Sequence, residues 1–272
     1  MAAEVLVGTQ GWNYPAWVGP FYPTGTRPED RLCLYTRAFR TVEVDATFFG
    51  PPAASIVASW RDSVPPGFQF ALKVPQGITH ERRLRETEAP MSHFLSRASL
   101  LGDRLGVLLL QMPPDWAPTF AAREDLERFL VALPTGLRWA LEFRDPRWIE
   151  PAVVDLVRGH GVAIVCADAR WIRRDRVLSA LAQPTAPFAY VRWMGLNGRI
   201  TDHSRVQVDR DAELDAWAEA LRALSARVTT IYGYVSNRFQ GHAPASARRL
   251  QTALGLGPVE PSTLRAPGEL LK

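Results

Sequence analysis

The sequence predicts a single (β/α)8 barrel of the TIM type, and three observations carry that prediction. Eight short runs rich in β-branched and aromatic residues recur along the chain, stretches with helical spacing separate them, and no break in composition divides the 272 residues. That length is ample for one full barrel core. Alternation alone would also suit an open doubly wound sheet, but eight such units in series favour closure.

Taken in order, the first strand is EVLVGT, from Glu4. Apolar residues at Leu32, Tyr35, Ala38 and Phe39 then mark one face of a helix leading into the second strand, TVEVDATF, from Thr41. The third and fourth strands are FQFALKV, from Phe68, and LGVLLLQM, from Leu105. Leu126, Phe129, Leu130 and Leu133 repeat the helical spacing before the fifth, RWALEF, from Arg138. The sixth, VAIVCAD, from Val162, precedes the weakest helical segment of the series. The seventh is PFAYVRWM, from Pro187; Leu214, Trp217, Leu221 and Leu224 form the next helical face, and TTIYGYVSN, from Thr229, completes the set. Residues 1–254 thus make the barrel, and residues 255–272, GLGPVEPSTLRAPGELLK, read as a Pro/Gly-rich tail expected to be loosely held.

Composition narrows the class of function. Lys and Arg number 32 against 28 Asp and Glu, and a net charge of +4 is too slight for a general nucleic-acid binder, so any basic patch must be local. Cys33 and Cys166 alone cannot build a disulfide framework or a zinc cluster. No leader-like region precedes the first strand, and no apolar run approaches the roughly 18 residues of a membrane span. A soluble cytoplasmic protein without a membrane partner is expected; the oligomeric state stays open.

In barrels of this type, chemistry collects at the C-terminal ends of the strands. Every such end here is polar: Gln10, then Glu43 and Asp45, Lys73, Gln111, Glu142 with Arg144, Asp168, Arg192, and Ser236 with Asn237. Side chains alternate faces along a strand, so Ala140, Glu142 and Arg144 oppose Trp139, Leu141 and Phe143. By the same alternation Gln69, Ala71 and Lys73 share a face, as do Glu43, Asp45 and Thr47. The bulkier sets belong against helices, which turns the polar sets inward. Lys73, Glu142 and Arg192 are then expected in one layer near the top, with Lys73 and Glu142 as a central pair. The same groups would equally serve as a structural ion network plugging the mouth, because buried charges must pair whether or not they do chemistry.

The motifs GTQGWNYPAWVGPFYP, VEVDATFFGPP, FALKVPQGITHERRL, LGVLLLQMPPDW, LEFRDPRW, YVRWMG and GYVSNRFQGHAPASARRL, in that order, resemble the YecE-like family, domain of unknown function 72. The resemblance runs to about Leu254; it implies a TIM-type barrel and brings no established reaction, cofactor or catalytic residue. Its recurrent positions fall on Gly11, Trp12, Glu43, Lys73, His80, Gln111, Glu142, Arg144, Arg192 and Asn237. The chain departs from the family at Asp45 (often Asn), Phe49 and Gly50 (commonly Tyr and Arg), Met194 (often His) and Ser236 (usually Asn).

Two strand-end loops carry arginines: Arg82, Arg83 and Arg85 beside His80, and Arg170, Arg173, Arg174 and Arg176 beside Trp171. Arginine over a polar pocket suits phosphate or another anion through bidentate contacts, although any one cluster also reads as a solvated surface. The leading expectation is an enzyme acting on a small phosphate-bearing molecule or a nucleic-acid segment, with the reaction class open and a hydrolase or a lyase among the options. Lys73, Glu142, Glu43 and Asp168 are its catalytic candidates; Gln10, Trp12, Asp45, His80, Gln111, Arg144, Arg192 and Asn237 are its binding candidates. Lys73 would form a Schiff base if burial lowered its pKa, whereas a neighbouring Glu142 would keep it protonated. Glu43, Asp45, Glu142 and Asp168 offer oxygen donors suited to Mg²⁺ or Mn²⁺; with only His80 near the mouth, a His-rich zinc site is not expected. No nucleotide-cofactor motif is present. Strand-end tryptophans Trp12, Trp17, Trp116, Trp148, Trp171 and Trp193 are candidates to stack on sugars or bases, while Trp60, Trp139 and Trp217 belong under helices. Alternatives from other classes are a non-catalytic nucleic-acid or anion binder, and a sugar hydrolase using two carboxylates.

Overall fold

A computed structural model describes residues 2–195 and 200–264. Its strands are β1 (Glu4–Gln10), β2 (Thr41–Val44), β3 (Gln69–Lys73), β4 (Leu105–Gln111), β5 (Trp139–Glu142), β6 (Ala163–Ile164), β7 (Cys166–Ala169), β8 (Phe188–Gly195) and β9 (Thr230–Val235). All pairings are parallel, in the order β6-β5-β4-β3-β2-β1-β9-β8-β7. Because the two ends of that order, β6 and β7, are consecutive in the chain, the sheet curls into a nearly closed barrel. Around it lie α1 (Arg31–Ala38), α2 (Ala54–Asp62), α3 (Glu88–Ala98), α4 (Phe120–Ala132), α5 (Pro151–Gly159), α6 (Arg174–Leu181), α7 (Asp211–Leu224), α8 (Asn237–Gln240) and α9 (Ala243–Leu254).

The expected sixth strand is cut in two at Val165. Val165 N still donates to Leu141 O at 2.9 Å, and on the other edge Ile164 N donates to the Thr185 hydroxyl at 2.8 Å in place of a strand carbonyl. A second seam lies between β1 and β2, which pair only at Thr9 with Val42 and at Gln10 with Glu43. There the Tyr35 hydroxyl, carried by α1, accepts from Thr9 N at 2.9 Å and donates to Thr41 O at 3.0 Å. Gly8 is required at this seam, since a Cβ on it would meet Thr41 O at 2.1 Å.

The barrel interior is filled unevenly. Ala71, Ala140, Ala163, Ala167 and Ala169 line one wall, and that small-residue wall leaves room for Phe188, Tyr190, Tyr232 and Tyr234 from β8 and β9. The outer layer packs the opposite phase, including Val42, Phe70, Leu108 and Leu141, against helix residues such as Val57, Leu126 and Leu214. The inward phase foreseen for Ala71 on β3 and Ala140 on β5 therefore holds, and Glu43 on β2 meets Arg192 inside; β2 ends at Val44, so Asp45 and Thr47 lie in a 3-10 turn and not in the strand alternation. The described part of the tail, residues 255–264, differs from expectation: Leu264 is buried and Val259 packs on the outer core, while Arg248 binds Val259 O at 2.7 Å and the Glu260 carboxylate at 2.5 Å; residues 265–272 lie outside the described residues. No helix among the described residues is long and apolar enough to cross a membrane.

Candidate functional site

The centre of the barrel mouth is Arg192, at the end of β8. Its side chain is 1% exposed, and it donates from Nη1 to Glu142 Oε2 at 2.6 Å and from Nη2 to Glu43 Oε1 at 2.7 Å. The Gln10 amide oxygen, oriented to satisfy both partners, accepts from Arg192 Nε and Nη2 at 3.2 Å. The second oxygen of each carboxylate is also taken, Glu142 Oε1 by Gln111 Nε2 at 2.8 Å and Glu43 Oε2 by the Tyr190 hydroxyl at 2.7 Å. One guanidinium thus bridges two buried carboxylates from opposite sides of the barrel. Burial raises Glu43 to about 7, with Asp45 adding to the rise and Arg192 opposing it. Burial also acts on Glu142, but there Arg192 and Arg144 outweigh it and hold the carboxyl below its ordinary value.

Above this network stand two cations with spare valence. Lys73 Nζ lies 4.0 Å from Asp45 Oδ1 and 3.8 Å from the centre of the Phe48 ring. A 3-10 turn after β2, Asp45–Phe49, brings both neighbours there, and the Thr47 hydroxyl pins it by donating to Lys73 O at 2.7 Å. Burial lowers the Lys73 pKa, and Arg192 adds to that while Asp45 opposes it. Arg144 lies over the Trp171 ring at 4.7 Å, with its Nε 3.7 Å from Glu142 Oε1 and without a hydrogen bond. Asp45 Oδ1 likewise lacks a hydrogen bond, lying 3.5 Å from Arg192 Nη2.

His80 sits on a π-turn, Gly77–Glu81, with its ring edge-on to Phe48 at 4.9 Å and its Nδ1 2.9 Å from the Thr79 hydroxyl. Burial, then Lys73 and Arg144, push its pKa down to about 4. The loop that follows holds Arg83, Leu84 and Glu86 at φ of 51°, 70° and 49°, a conformation costing about 1 kcal/mol or more per non-glycine residue. Burial of Leu84 helps to offset that cost.

Several expectations need correction. Lys73 and Glu142 are not an ion pair: Glu142 is committed to Arg192 and Gln111, and the carboxylate nearest Lys73 is Asp45. Asp168 points away from the mouth, because Ala167 and Ala169 take the inward phase of β7. It accepts from Trp217 Nε1 at 2.8 Å and pairs with Arg174 at 3.1 Å, between the sheet and helices α6 and α7. Trp12 turns its ring to Trp60 and Phe70 at 5.6 and 6.4 Å, in the outer layer. Asn237 Oδ1 accepts from Trp17 Nε1 at 3.1 Å and Ala243 N at 3.0 Å, anchoring the start of α9. Trp17, Trp116, Trp148 and Trp193 are buried, so of the strand-end tryptophans with stacking geometry only half-buried Trp171 remains beside the mouth. Among the described residues no three His, Cys, Asp or Glu side chains gather to hold a metal ion. Glu43, Asp45, Glu142 and Asp168 therefore do not fit Mg²⁺ or Mn²⁺: two are clamped by Arg192 and one faces outward.

Sequence reasoning missed Tyr190, Phe48 and Tyr14. Tyr190 is two residues before Arg192 in the same strand phase, so alternation would have found it. Phe48 depends on the turn after β2 and left no such signal. Tyr14 donates to Gln10 O at 3.0 Å and is pushed up to about 12 by burial, Asp45 and Glu43, which places it beside the same carboxylates.

Comparison with known proteins agrees with this architecture. YecE of Escherichia coli K12 is 31% identical over 179 residues, covering 63% of this chain and 62% of YecE. YunF of Bacillus subtilis is 23% identical, covering 93% of this chain and 95% of YunF. The crystal structure of a DUF72 family protein from Thermotoga maritima superposes with a TM-score of 0.79 at 26% identity, covering 93% of this chain and 99% of that one. One from Enterococcus faecalis superposes at 0.74 and 19% identity, over 94% and 97%, and shares the fold. The family model described as protein of unknown function DUF72 matches residues 6–269, and the chain belongs to that family.

Proposed function

We propose that the barrel mouth binds a small phosphate-bearing molecule between Lys73 and Arg144, and that the protein is an enzyme acting on it. The observation that carries this reading is the mismatch of satisfaction between two layers. Below, Arg192 saturates Glu43 and Glu142; above, Lys73 and Arg144 are reachable from solvent, and neither has a hydrogen-bonded carboxylate. Burial lowers the pKa of both, and the charge of Arg192 lowers each further, so both cations are repelled by the guanidinium beneath them. A bound anion would relieve that repulsion and accept the free Arg144 donors in charge-assisted bonds. Glu43, Glu142, Gln10 and Gln111 then position Arg192, and Lys73 is the group able to meet reacting atoms.

Two features count against the other readings. Two of the loop arginines suited to nucleic acid are engaged locally, Arg83 with Asp115 at 2.6 Å and Arg173 with Asp175 at 3.0 Å. Glu43 and Glu142 grip one guanidinium, leaving no cleft between them for a glycosidic bond.

Calorimetry and thermal shift with inorganic phosphate and a panel of phosphomonoesters test the proposal. Wild type should bind at least one of them, and Arg144→Met and Lys73→Met, shown to be folded by circular dichroism, should each lose tenfold or more in affinity. No binding by wild type, or undiminished binding by both variants, would refute it.

A further inference from the structure

Of the 32 basic residues in this chain, only two are lysines, Lys73 and Lys272. Everywhere else the chain meets its need for positive charge with arginine, including at Arg144 and Arg192 of the same mouth. Charge alone would not require a different residue at position 73. What lysine offers and arginine does not is an amine that can lose a proton and become a nucleophile.

The surroundings of Lys73 suit that use. Its side chain is 10% exposed, so the amine is screened from bulk water yet open to the mouth. The face of Phe48 covers Nζ at 3.8 Å, and its nearest carboxylate, Asp45, stands off at 4.0 Å, too far for a strong hydrogen bond. The Arg192 guanidinium is near enough to act on it as a like charge. Burial is the largest influence and disfavours the ammonium form, and Arg192 adds to it; Asp45, Glu43 and Glu142 oppose, yet the net effect is a lowered pKa.

We propose that Lys73 is an imine-forming nucleophile, and that the ligand of the mouth is an aldehyde or ketone carrying a phosphate group. The phosphate half of this statement rests on the function proposed above; the amine half does not. In the step, the ammonium passes one proton to Asp45 through a bridging water across the 4.0 Å gap, and the Nζ lone pair bonds to the carbonyl carbon as the C=O π pair moves to oxygen. A second nitrogen proton transfers to that oxygen. Asp45 returns its proton to the resulting hydroxyl, which leaves as water, and the nitrogen keeps its last hydrogen in the iminium. Charge and atoms balance without an oxidant or a metal. The iminium then withdraws electrons from the adjacent carbon, the chemistry of aldol-type lyases and of proton abstraction next to a carbonyl.

The near absence of lysine makes the test clean. The full chain is incubated with glyceraldehyde 3-phosphate or with glyceraldehyde under cyanoborohydride, which reduces the imine to a stable amine, and labelling is read by peptide mass spectrometry. Lys272 is the internal reference. Lys73 should label at least tenfold faster than Lys272 with the phosphorylated aldehyde, at a lower pH midpoint, and excess inorganic phosphate should suppress it. Lys73→Arg, shown to be folded by circular dichroism, should lose the adduct at position 73 while Lys272 still labels. If Lys73 labels no faster than Lys272 with either aldehyde, the imine proposal is overturned, even where phosphate still binds. If both aldehydes label it equally fast and phosphate has no effect, the amine stands and the phosphate half is overturned.

Discussion

Replacing Arg192 by methionine should be among the most damaging single changes in this protein. The guanidinium makes bonds of 2.6 and 2.7 Å to carboxylates that are 1% and 0% exposed, so its removal leaves two buried acids facing each other with no cation between them. Breaking a buried pair by removing one partner costs about 3–5 kcal/mol. The two acids will not share that cost equally. Glu43, already raised to about 7, can take up a proton readily, whereas the low pKa of Glu142 depends largely on Arg192, so most of the loss falls there. Urea denaturation at pH 7 measures the loss through the midpoint at unchanged slope. The triple variant Arg192→Met, Glu43→Gln, Glu142→Gln removes all three charges at similar volume, and should recover about 2 kcal/mol or more relative to the single change. A loss below about 1 kcal/mol for Arg192→Met, or no recovery in the triple variant, would show that the bridge does not hold the mouth together.

Three further outcomes are expected. Glu43 has a folded pKa of about 7 against an ordinary 4.5, so its protonated form favours the fold. That contribution is complete below about pH 4.5 and lost as pH rises to about 7, and Glu43→Gln should flatten the wild-type decline across this window in pH-dependent denaturation. Truncation after Gly257 should lower stability by about 1.5–3 kcal/mol, the burial worth of Leu264, and Leu264→Ala should reproduce most of the fall in Tm; an unchanged Tm would mean the tail is not docked. Asp168→Asn should cost about 1–3 kcal/mol through its bonds to Trp217 and Arg174, yet leave phosphate affinity as in wild type; a large affinity loss would return Asp168 to the site.

The sequence by itself determined the barrel and the inward phase of most of its strands. Both are local properties: β-rich runs alternate with helical spacing, and a two-residue repeat turns Ala71 with Lys73, and Ala140 with Glu142, to one side whatever their neighbours do. The polar strand ends, and with them Glu43, Lys73, Gln111, Glu142, Arg144 and Arg192, were legible for the same reason. Partnership was not legible, because it depends on how far each strand is staggered around the ring and how long each side chain is. Arg192 reaches across the barrel to two acids 149 and 50 residues away, and so takes Glu142 from Lys73. The break at Val165 sits in a strand whose phase strand-end polarity alone had misassigned, and only the packing of Trp217 behind the sheet shows why a buried Asp168 is satisfied there. The tail looked loose because proline and glycine speak for the chain's own preferences, while its anchor, Arg248 on Val259 and Glu260, comes from a helix that had to be in place first.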